Sequence, residues 1–286
     1  MAIETYIGVN DVAQQVKKMY VGVNDVARKV KNVYIGVNGV AEQVYASVKP
    51  PKIVTWNGGT DAEIIAMVEA ADRGEINLAK YWSIGDERTV SLSAMPATGV
   101  GESHVAQSIK FVLMDTDKIN LNSPTASGRT KSQFVIGMKD ALIEPGYMNS
   151  GDDEYFRWTT DPAYLCARRP WCNNVFYAAI PQPFRSIFKL FKSPYHDTVD
   201  RFSLFAEKEI QGTNTKSTYD EAKVETHIEY YKTASNRRKV SPSDIYWLRS
   251  KFASSWGSCN FCVTDYGSSA SAPQYYAYGI SPFGVI

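Results

Sequence analysis

The sequence has little of what metal sites and nucleophilic centres need, with three His and four Cys in 286 residues. It also lacks a surplus of either charge. Lys+Arg is 31 against Asp+Glu 30, a formal charge of +1. A nucleic-acid surface needs a basic excess to neutralise phosphates, so no nucleic-acid partner is expected. No apolar run approaches the roughly 18 residues of a membrane span, so no membrane insertion is expected. The opening residues Met1-Ala2-Ile3-Glu4-Thr5-Tyr6 lack a basic stretch followed by an apolar one, and no signal peptide is expected. What the chain does have is aromatic side chain: 18 Tyr, 12 Phe and 6 Trp, or 13%. Hydrophobic residues make up 44%, an ordinary globular value. The length suits one large domain or two smaller ones. This composition leans toward recognition.

The first 49 residues are repetitive. Tyr6, Tyr20 and Tyr34 each open a unit of 14 residues: YIGVNDVAQQVKKM, YVGVNDVARKVKNV and YIGVNGVAEQVYAS. Seven of the 14 positions (Tyr, Gly, Val, Asn, Val, Ala, Val) are shared by all three. Two local conformations compete. Asn38-Gly39 and the Asn-Asp pairs Asn10-Asp11 and Asn24-Asp25 can form two-residue hairpin turns, joining a strand such as Tyr34–Val37 to one such as Val40–Val44. Alternatively, Asn caps a short helix with Val12, Val16 and Met19 on one face. The β-branched content and the shortness of each unit favour β. A unit this small cannot bury its apolar face alone, which points to an assembly or anchoring module using Tyr6, Val9, Tyr20, Val23, Tyr34 and Val37. A β-extension folded back on the main domain is the alternative. Residues 50–56 form a junction opened by Pro50-Pro51.

From residue 57 on the pattern is that of a loop-rich α+β domain. Thr60 or Asp61 can cap a helix with the apolar stripe Ile64, Ile65, Met67 and Val68, ended by Gly74. Strands are expected at Thr89–Leu92, Ile109–Met114 and Gln133–Met138. A second helical stretch is expected over roughly Pro162 to Tyr177, with Tyr164, Leu165 and Trp171. Pro181 and Pro183 then precede the apolar segment Phe184–Phe191. Short strands in long loops complete the last 40 residues.

Residues 252–278 read FASSWGSCNFCVTDYGSSASAPQYYAY, with six Ser, four Tyr and no Lys, Arg, Glu, Leu, Ile or Met. A packed core would draw on Leu and Ile, and a solvated loop on charge. Tyr with Ser is the chemistry of contact surfaces, where Tyr supplies stiff amphipathic area and Ser adaptable hydrogen bonds. Trp247 and Trp256 flank or enter the segment as candidate anchors. The candidate ligand-contact set is Trp247, Phe252, Ser254, Ser255, Trp256, Ser258, Phe261, Asp265, Tyr266, Ser268, Ser269, Ser271, Tyr275, Tyr276 and Tyr278. A Ser/Tyr-rich loop without special purpose is the alternative.

Five phrases follow one another in order: Tyr81-Trp82-Ser83-Ile84-Gly85-Asp86, Arg169-Pro170-Trp171-Cys172-Asn173-Asn174-Val175-Phe176, Ala206-Glu207-Lys208-Glu209-Ile210-Gln211-Gly212, Asp244-Ile245-Tyr246-Trp247-Leu248-Arg249-Ser250 and Gly279-Ile280-Ser281-Pro282-Phe283. Together they resemble a family of phage and bacterial domains with the C-type-lectin-like fold, in its formylglycine-generating-enzyme-like branch. The resemblance covers most of residues 51–286, and the 14-residue repeats resemble those preceding such domains in phage structural proteins of Gram-positive hosts. One departure stands at the end. The family usually closes with Gly-Val-Arg-Pro-Ala-Phe, whereas Ser281 here precedes Pro282, which removes the arginine of a buried ion pair but not the fold. The resemblance implies that the stretch after Trp247-Leu248-Arg249-Ser250 can be diversified by retroelements that mutate adenines. Asn codons then become Ser, Tyr, Cys, Phe, Asp or Gly codons, an alphabet this segment fits. Trp256 and Gln274 fall outside it and would belong to the fixed framework.

Other chemistries are weaker. Cys259 and Cys262 form a Cys-x2-Cys, and Cys166 with Cys172 a looser pair, yet no His adjoins either, so neither zinc nor a disulfide is expected. His104, His196 and His227 sit in unrelated contexts, and Asp197 beside His196 comes without a Gly-x-Ser-x-Gly elbow. Cys259 and Cys262 lack the wider separation of the formylglycine-generating copper site. Glu144-Pro145-Gly146 only partly echoes the calcium-binding phrase of ordinary C-type lectins, so no calcium requirement is expected. Arg237-Arg238-Lys239 reads as a solvated turn.

The expectation is a non-enzymatic phage virion protein, without cofactors, assembled in the bacterial cytoplasm and exposed on the virion surface. Residues 1–49 would join other virion proteins on a tail, fibre or capsid. The lectin-like domain, residues 57–286, would meet a host-surface protein or glycan through residues 247–278, in a homo-oligomer. A purely structural capsid decoration or tail-tip protein, and a formylglycine-generating-type oxidase, are the alternatives.

Overall fold

The structure is a computed structural model that describes residues 6–9, 12–15, 20–23, 26–29, 32–37, 40–46, 50–98, 103–149, 158, 160, 165–192, 198–213, 227–240, 245–251 and 259–286, with backbone alone for the strands before residue 50 and for 251, 259 and 261. The chain divides into two units, Met1–Pro50 and Pro51–Ile286.

In the first unit the repeats are strands. β1 (Tyr6–Val9) pairs with β2 (Val12–Gln15), β3 (Tyr20–Val23) with β4 (Val26–Lys29), and β5 (Asn32–Val37) with β6 (Val40–Ala46). All three ladders are antiparallel and share one register. Val9 pairs with Val12, Val23 with Val26 and Val37 with Val40, and in each repeat the glycine pairs with the alanine: Gly8 with Ala13, Gly22 with Ala27, Gly36 with Ala41. The invariant Val, Gly and Ala of the repeat are thus the ladder partners nearest the turn, and their spacing leaves the two residues a tight hairpin needs. An isolated two-stranded hairpin is marginal in water. The side chains of the candidate assembly residues Tyr6, Val9, Tyr20, Val23, Tyr34 and Val37 lie outside the described residues.

The second unit is mixed α+β with few helices and antiparallel sheets. Helix α1 (Asp61–Asp72) starts where the sequence signals it: the Thr60 side chain accepts from Glu63 N, and the Glu63 side chain accepts from Thr60 N. Lys52 and Thr60 together hold the Glu63 carboxyl down to about 2. Gly74, at φ +74°, takes the left-handed position after the helix, with Gly74 N donating to Ala71 O and Glu75 N to Ala70 O. Ile64, Met67 and Val68 are buried and Ile65 packs against them.

A five-stranded antiparallel sheet runs in the order β12 (Phe202–Ser203), β16 (Phe283–Val285), β9 (Val135–Met138), β8 (Gln107–Asp115), β7 (Glu87–Leu92). β8 alternates at its start and is buried on both faces beyond Lys110. Ile109, Phe111 and Leu113 enter one apolar cluster with α1, Trp56, Trp82 and Phe184, while Val112 and Met114 enter a second with Phe205, Tyr231 and Phe283. The last strand, β16, lies inside the sheet rather than at its edge, a long-range pairing that no local pattern encodes.

The second helical stretch begins later than expected. It runs as α2 (Arg168–Trp171), a π-helical turn (Cys172–Phe176) and α3 (Tyr177–Ala179), while Leu165 makes an isolated bridge. Residues 161–164, including Tyr164, lie outside the described residues. The start is set from afar, because Asn149 Oδ1 accepts from Ala167 N and Pro170 sits in the first turn, where its missing N–H costs nothing. A short helix α4 (Glu207–Gln211) closes with Gly212.

Arg237-Arg238-Lys239 is not a solvated turn throughout. Arg238 is exposed, but Lys239 is buried, its ammonium donating to Met138 O and Lys139 O and lying 5.6 Å from the ring centres of both Tyr231 and Tyr246. Burial pulls Lys239 down to about 7.

Candidate functional site

The Ser/Tyr-rich segment falls on a second antiparallel sheet: β13 (Tyr246–Lys251), β14 (Cys259–Val263) and β15 (Ser269–Pro273). Trp247 pairs with Cys262 and Lys251 with Asn260, so four steps on β13 oppose two on β14. Such an irregularity frees backbone carbonyls. Asn260 fills the gap, its amide donating to Leu248 O at 3.4 Å and Arg249 O at 3.2 Å. Gln274 Nε2 in turn donates to Asn260 Oδ1 at 2.6 Å, and Gln274 O accepts from Met148 N and Asn149 N. Gln274, expected to be framework, is buried.

Beneath this sheet two of the resembling phrases are joined. Arg249 Nη1 meets Glu209 Oε2 at 2.8 Å and Leu204 O at 2.5 Å, and Ser250 Oγ accepts from Glu207 N at 2.8 Å. Arg249 and Glu209 are both buried, so this pair ties β13 to α4 in a low-dielectric setting. Ser281, where the resembling family has an arginine, donates to Met138 O at 3.4 Å.

Trp247 is corrected from contact residue to support. It is 1% exposed, and its Nε1 donates to Gly146 O at 3.0 Å. From it an aromatic series climbs outward. The Trp247 and Tyr278 rings lie 4.9 Å apart, Tyr278 and Tyr276 6.0 Å, and Tyr276 and Tyr275 5.1 Å, the last two pairs edge to face. Tyr278 is half-buried and clamped by a two-way backbone bridge to Gly146, and partial burial raises its phenol above the usual value. Tyr275 and Tyr276 are 41% and 45% exposed.

The hairpin's other exposed tyrosine lies at its far end. Tyr266, 76% exposed, sits with the exposed Asp265 and Ser268 in the turn between β14 and β15, the opposite end of the hairpin from Tyr275 and Tyr276. That turn is held by Gly267 N to Thr264 O at 2.8 Å and by Gln211 Nε2 to Gly267 O at 2.9 Å. Gly267 is required here: at φ +77° a side chain is strained, and a Cβ would come within 3.3 Å of Arg237 Cβ. Between the two ends, β15 turns Ser271 outward with Ser269 half-exposed, while Ala272 is buried. The candidate contact segment thus has a tyrosine pair at one end and a single tyrosine at the other, joined by a serine edge. Asp265 is the only charged residue from 259 to 286, so the hairpin itself offers ring faces and hydroxyls, while Arg237 and the exposed Arg238 lie against its Gly267 turn.

Phe252, Ser254, Ser255, Trp256 and Ser258 lie outside the described residues, as does the side chain of Phe261, whose backbone pairs with Ser271. Asn260, Arg249 and Glu209 were not singled out from the sequence. The available signal was the opposed charges in two otherwise apolar phrases, Ala206–Gly212 and Tyr246–Ser250.

Among the described residues no group of three His, Cys, Asp or Glu is placed to hold a metal ion. Cys166, Cys172 and Cys262 are buried, and burial raises the Cys166 thiol to about 11 and Cys172 higher still, so neither of these two carries thiolate character at neutral pH. His104 is buried against Trp171 at 5.4 Å, its Nδ1 3.4 Å from Glu144; burial lowers its pKa, with the nearby Arg168 charge acting in the same direction. His196 lies outside the described residues. No described helix is long and apolar enough to cross a membrane. Comparison of the chain with protein-family models, with curated proteins and with solved structures gives no match in any of the three.

Proposed function

We propose that this chain is a bacteriophage virion protein whose second unit has the C-type-lectin-like fold and binds a host-surface protein or glycan through the β14–β15 hairpin. The observation that carries this reading is the aromatic series from buried Trp247 through Tyr278 to exposed Tyr276 and Tyr275, standing on the Asn260–Gln274 network. Tyrosines held in this way lose little entropy on contact and present large amphipathic area, the combination that dominates binding surfaces. The near-absence of charge on the hairpin suits ring stacking and hydroxyl contacts with a neutral ligand. The repeats would dock the domain onto a tail, fibre or capsid, where many copies turn weak single sites into strong attachment. Binding, not catalysis, is the proposed role.

The test uses the full chain, measuring its sedimentation with intact Gram-positive cells. The expected result is saturable binding that falls about tenfold or more in a Tyr275→Ala/Tyr276→Ala variant with unchanged melting, a loss of at least 1.4 kcal/mol. Equal binding by that variant rejects the surface.

A second reading, a decoration or tail-tip protein that only cements neighbours, has its own support. Val240, Ile143 and Val105 are 77%, 60% and 55% exposed. Their stretches are tied together by Ala141 N to Val240 O, Ile143 N to Gln107 Oε1 and Val105 N to Glu144 Oε1. Loss of particle incorporation, rather than of cell binding, in a Val240→Asp/Ile143→Asp variant favours this reading.

A further inference from the structure

A cleft of about 320 Å³ opens on the π-helical turn, away from the residues invoked above, and is lined by Arg169, Pro170, Asn174, Leu190, Val199 and Arg201 with the Asn173–Asp200 pair at its base. The volume is at the lower end of small-molecule pockets, and π-helical turns recur at functional sites.

Its charge is resolved residue by residue. Asp200 is fully buried and saturated with donors: Arg169 Nη2 at 2.8 Å, Trp158 Nε1 at 3.0 Å, Asn173 Nδ2 at 3.0 Å and Thr198 Oγ1 at 3.2 Å. Arg169 thus cancels Asp200. Arg201, the next residue, has no such counterpart. Its Nη1 donates to Tyr177 Oη at 3.2 Å and Phe188 O at 3.4 Å, its guanidinium lies 4.9 Å from the Tyr177 ring centre, and no described carboxylate is within ion-pair distance. Among the described residues, Arg201 is therefore the lining cation without a carboxylate partner, its planar fork suited to a carboxylate, with Pro170, Leu190 and Val199 as apolar wall. Leu190 and Val199 remain exposed there. A phosphate monoester brings close to two negative charges and would be under-neutralised; a carboxylate brings one.

We propose that this cleft binds a small carboxylate with an apolar or aromatic body, Arg201 holding the carboxylate and Leu190 and Val199 the body. The inference is independent of the hairpin reading.

The experiment is ligand-detected NMR on the full chain at constant ionic strength, with sodium benzoate as probe and benzamide and inorganic phosphate as controls. Saturable benzoate binding is expected, with benzamide and phosphate each about tenfold weaker or worse. Arg201→Gln is expected to weaken benzoate about tenfold, and Arg201→Lys less. Val199→Glu leaves Arg201 in place but adds a like charge at the rim, and should weaken benzoate about tenfold; it decides the matter if Arg201→Gln does not fold. The Tyr275→Ala/Tyr276→Ala variant should bind benzoate normally, which separates this site from the hairpin. Benzamide or phosphate binding as tightly as benzoate, or benzoate binding undiminished in Val199→Glu, overturns the proposal.

Discussion

Asn260 and Gln274 lie on the underside of the C-terminal hairpin, and Tyr275 and Tyr276 follow Gln274 directly in the chain yet stand outside it. The two groups share a sheet and divide its work. Below, buried polar groups pair in series: Gln274 to Asn260, Asn260 to the carbonyls freed by the β13 irregularity, Arg249 to Glu209. Above, Tyr275 and Tyr276 meet edge to face, 41% and 45% exposed. Burial makes the lower set intolerant of change, because an unpaired buried group costs its full desolvation. Exposure leaves the upper set free to change identity at little cost in stability. A surface can vary its chemistry only if something beneath it does not.

The sharpest way to break this division is at its deepest point. Arg249→Met leaves Glu209 as a buried charge without its partner, and should destabilise the domain by about 3–5 kcal/mol in urea unfolding. A loss below about 1 kcal/mol would show that the underside is not the rigid member of the pair.

Next in size is the buried amine behind the same sheet. Lys239 is held to about 7 by burial, below the ordinary lysine value of about 10.4. Between those values the unfolded chain binds more protons, so stability should rise with pH from about 7 to about 9.5, by on the order of 2–3 kcal/mol. The buried thiols Cys166 and Cys172 act oppositely from about pH 8.5, and Tyr231 and Tyr246 above about pH 10, because burial raises all four and the unfolded chain loses those protons first; Asp140 partly offsets the lysine effect. Urea unfolding at pH 7, 8.5 and 9.5 should show the natural chain gaining that much stability relative to Lys239→Met, which lacks the lysine titration but keeps the opposing thiol one. An identical slope in both would place the titration elsewhere.

Smaller again is the amide relay. Gln274→Ala leaves Asn260 Oδ1 without its 2.6 Å donor and should cost about 1–2 kcal/mol, with no change at the opposite turn around Tyr266. Hydrogen exchange would locate the loosening at Leu248 and Arg249, whose carbonyls Asn260 holds.

What could be read from the sequence follows the range of the physics that sets it. Helix α1 was legible because its start, stop and apolar stripe are all local, from Thr60 and Glu63 to Gly74. The repeat hairpins were legible because two-residue turns and β-branched flanks are local too. The start of α2 was not, since Asn149 supplies its first hydrogen bond from 18 residues away. Trp247 looks like an anchor for ligand in the sequence because residue type does not say which way a strand faces, and a strand buried on both faces, as β13 is, gives no alternation to read. Lys239 was hidden inside a basic run whose middle residue is indeed exposed. The site's composition was visible; its division into two tyrosine ends was not, because that depends on the β14–β15 register.

The least destabilising change tests the upper set directly. Tyr275→Ala/Tyr276→Ala removes two rings that meet edge to face, Tyr276 meeting Tyr278 in the same way. Surface aromatic pairs contribute about 0.5–1.5 kcal/mol beyond their area, and these rings are nearly half exposed, so the stability loss should stay near 1 kcal/mol or below. Cell binding should nevertheless fall about tenfold, because the rings supply contact area rather than scaffold. Tyr266→Ala, at the far end of the hairpin, then separates the two tyrosine ends. If it weakens binding as much, the ligand spans the full length of β15; if it has no effect, contact is confined to the end that the Trp247 series supports.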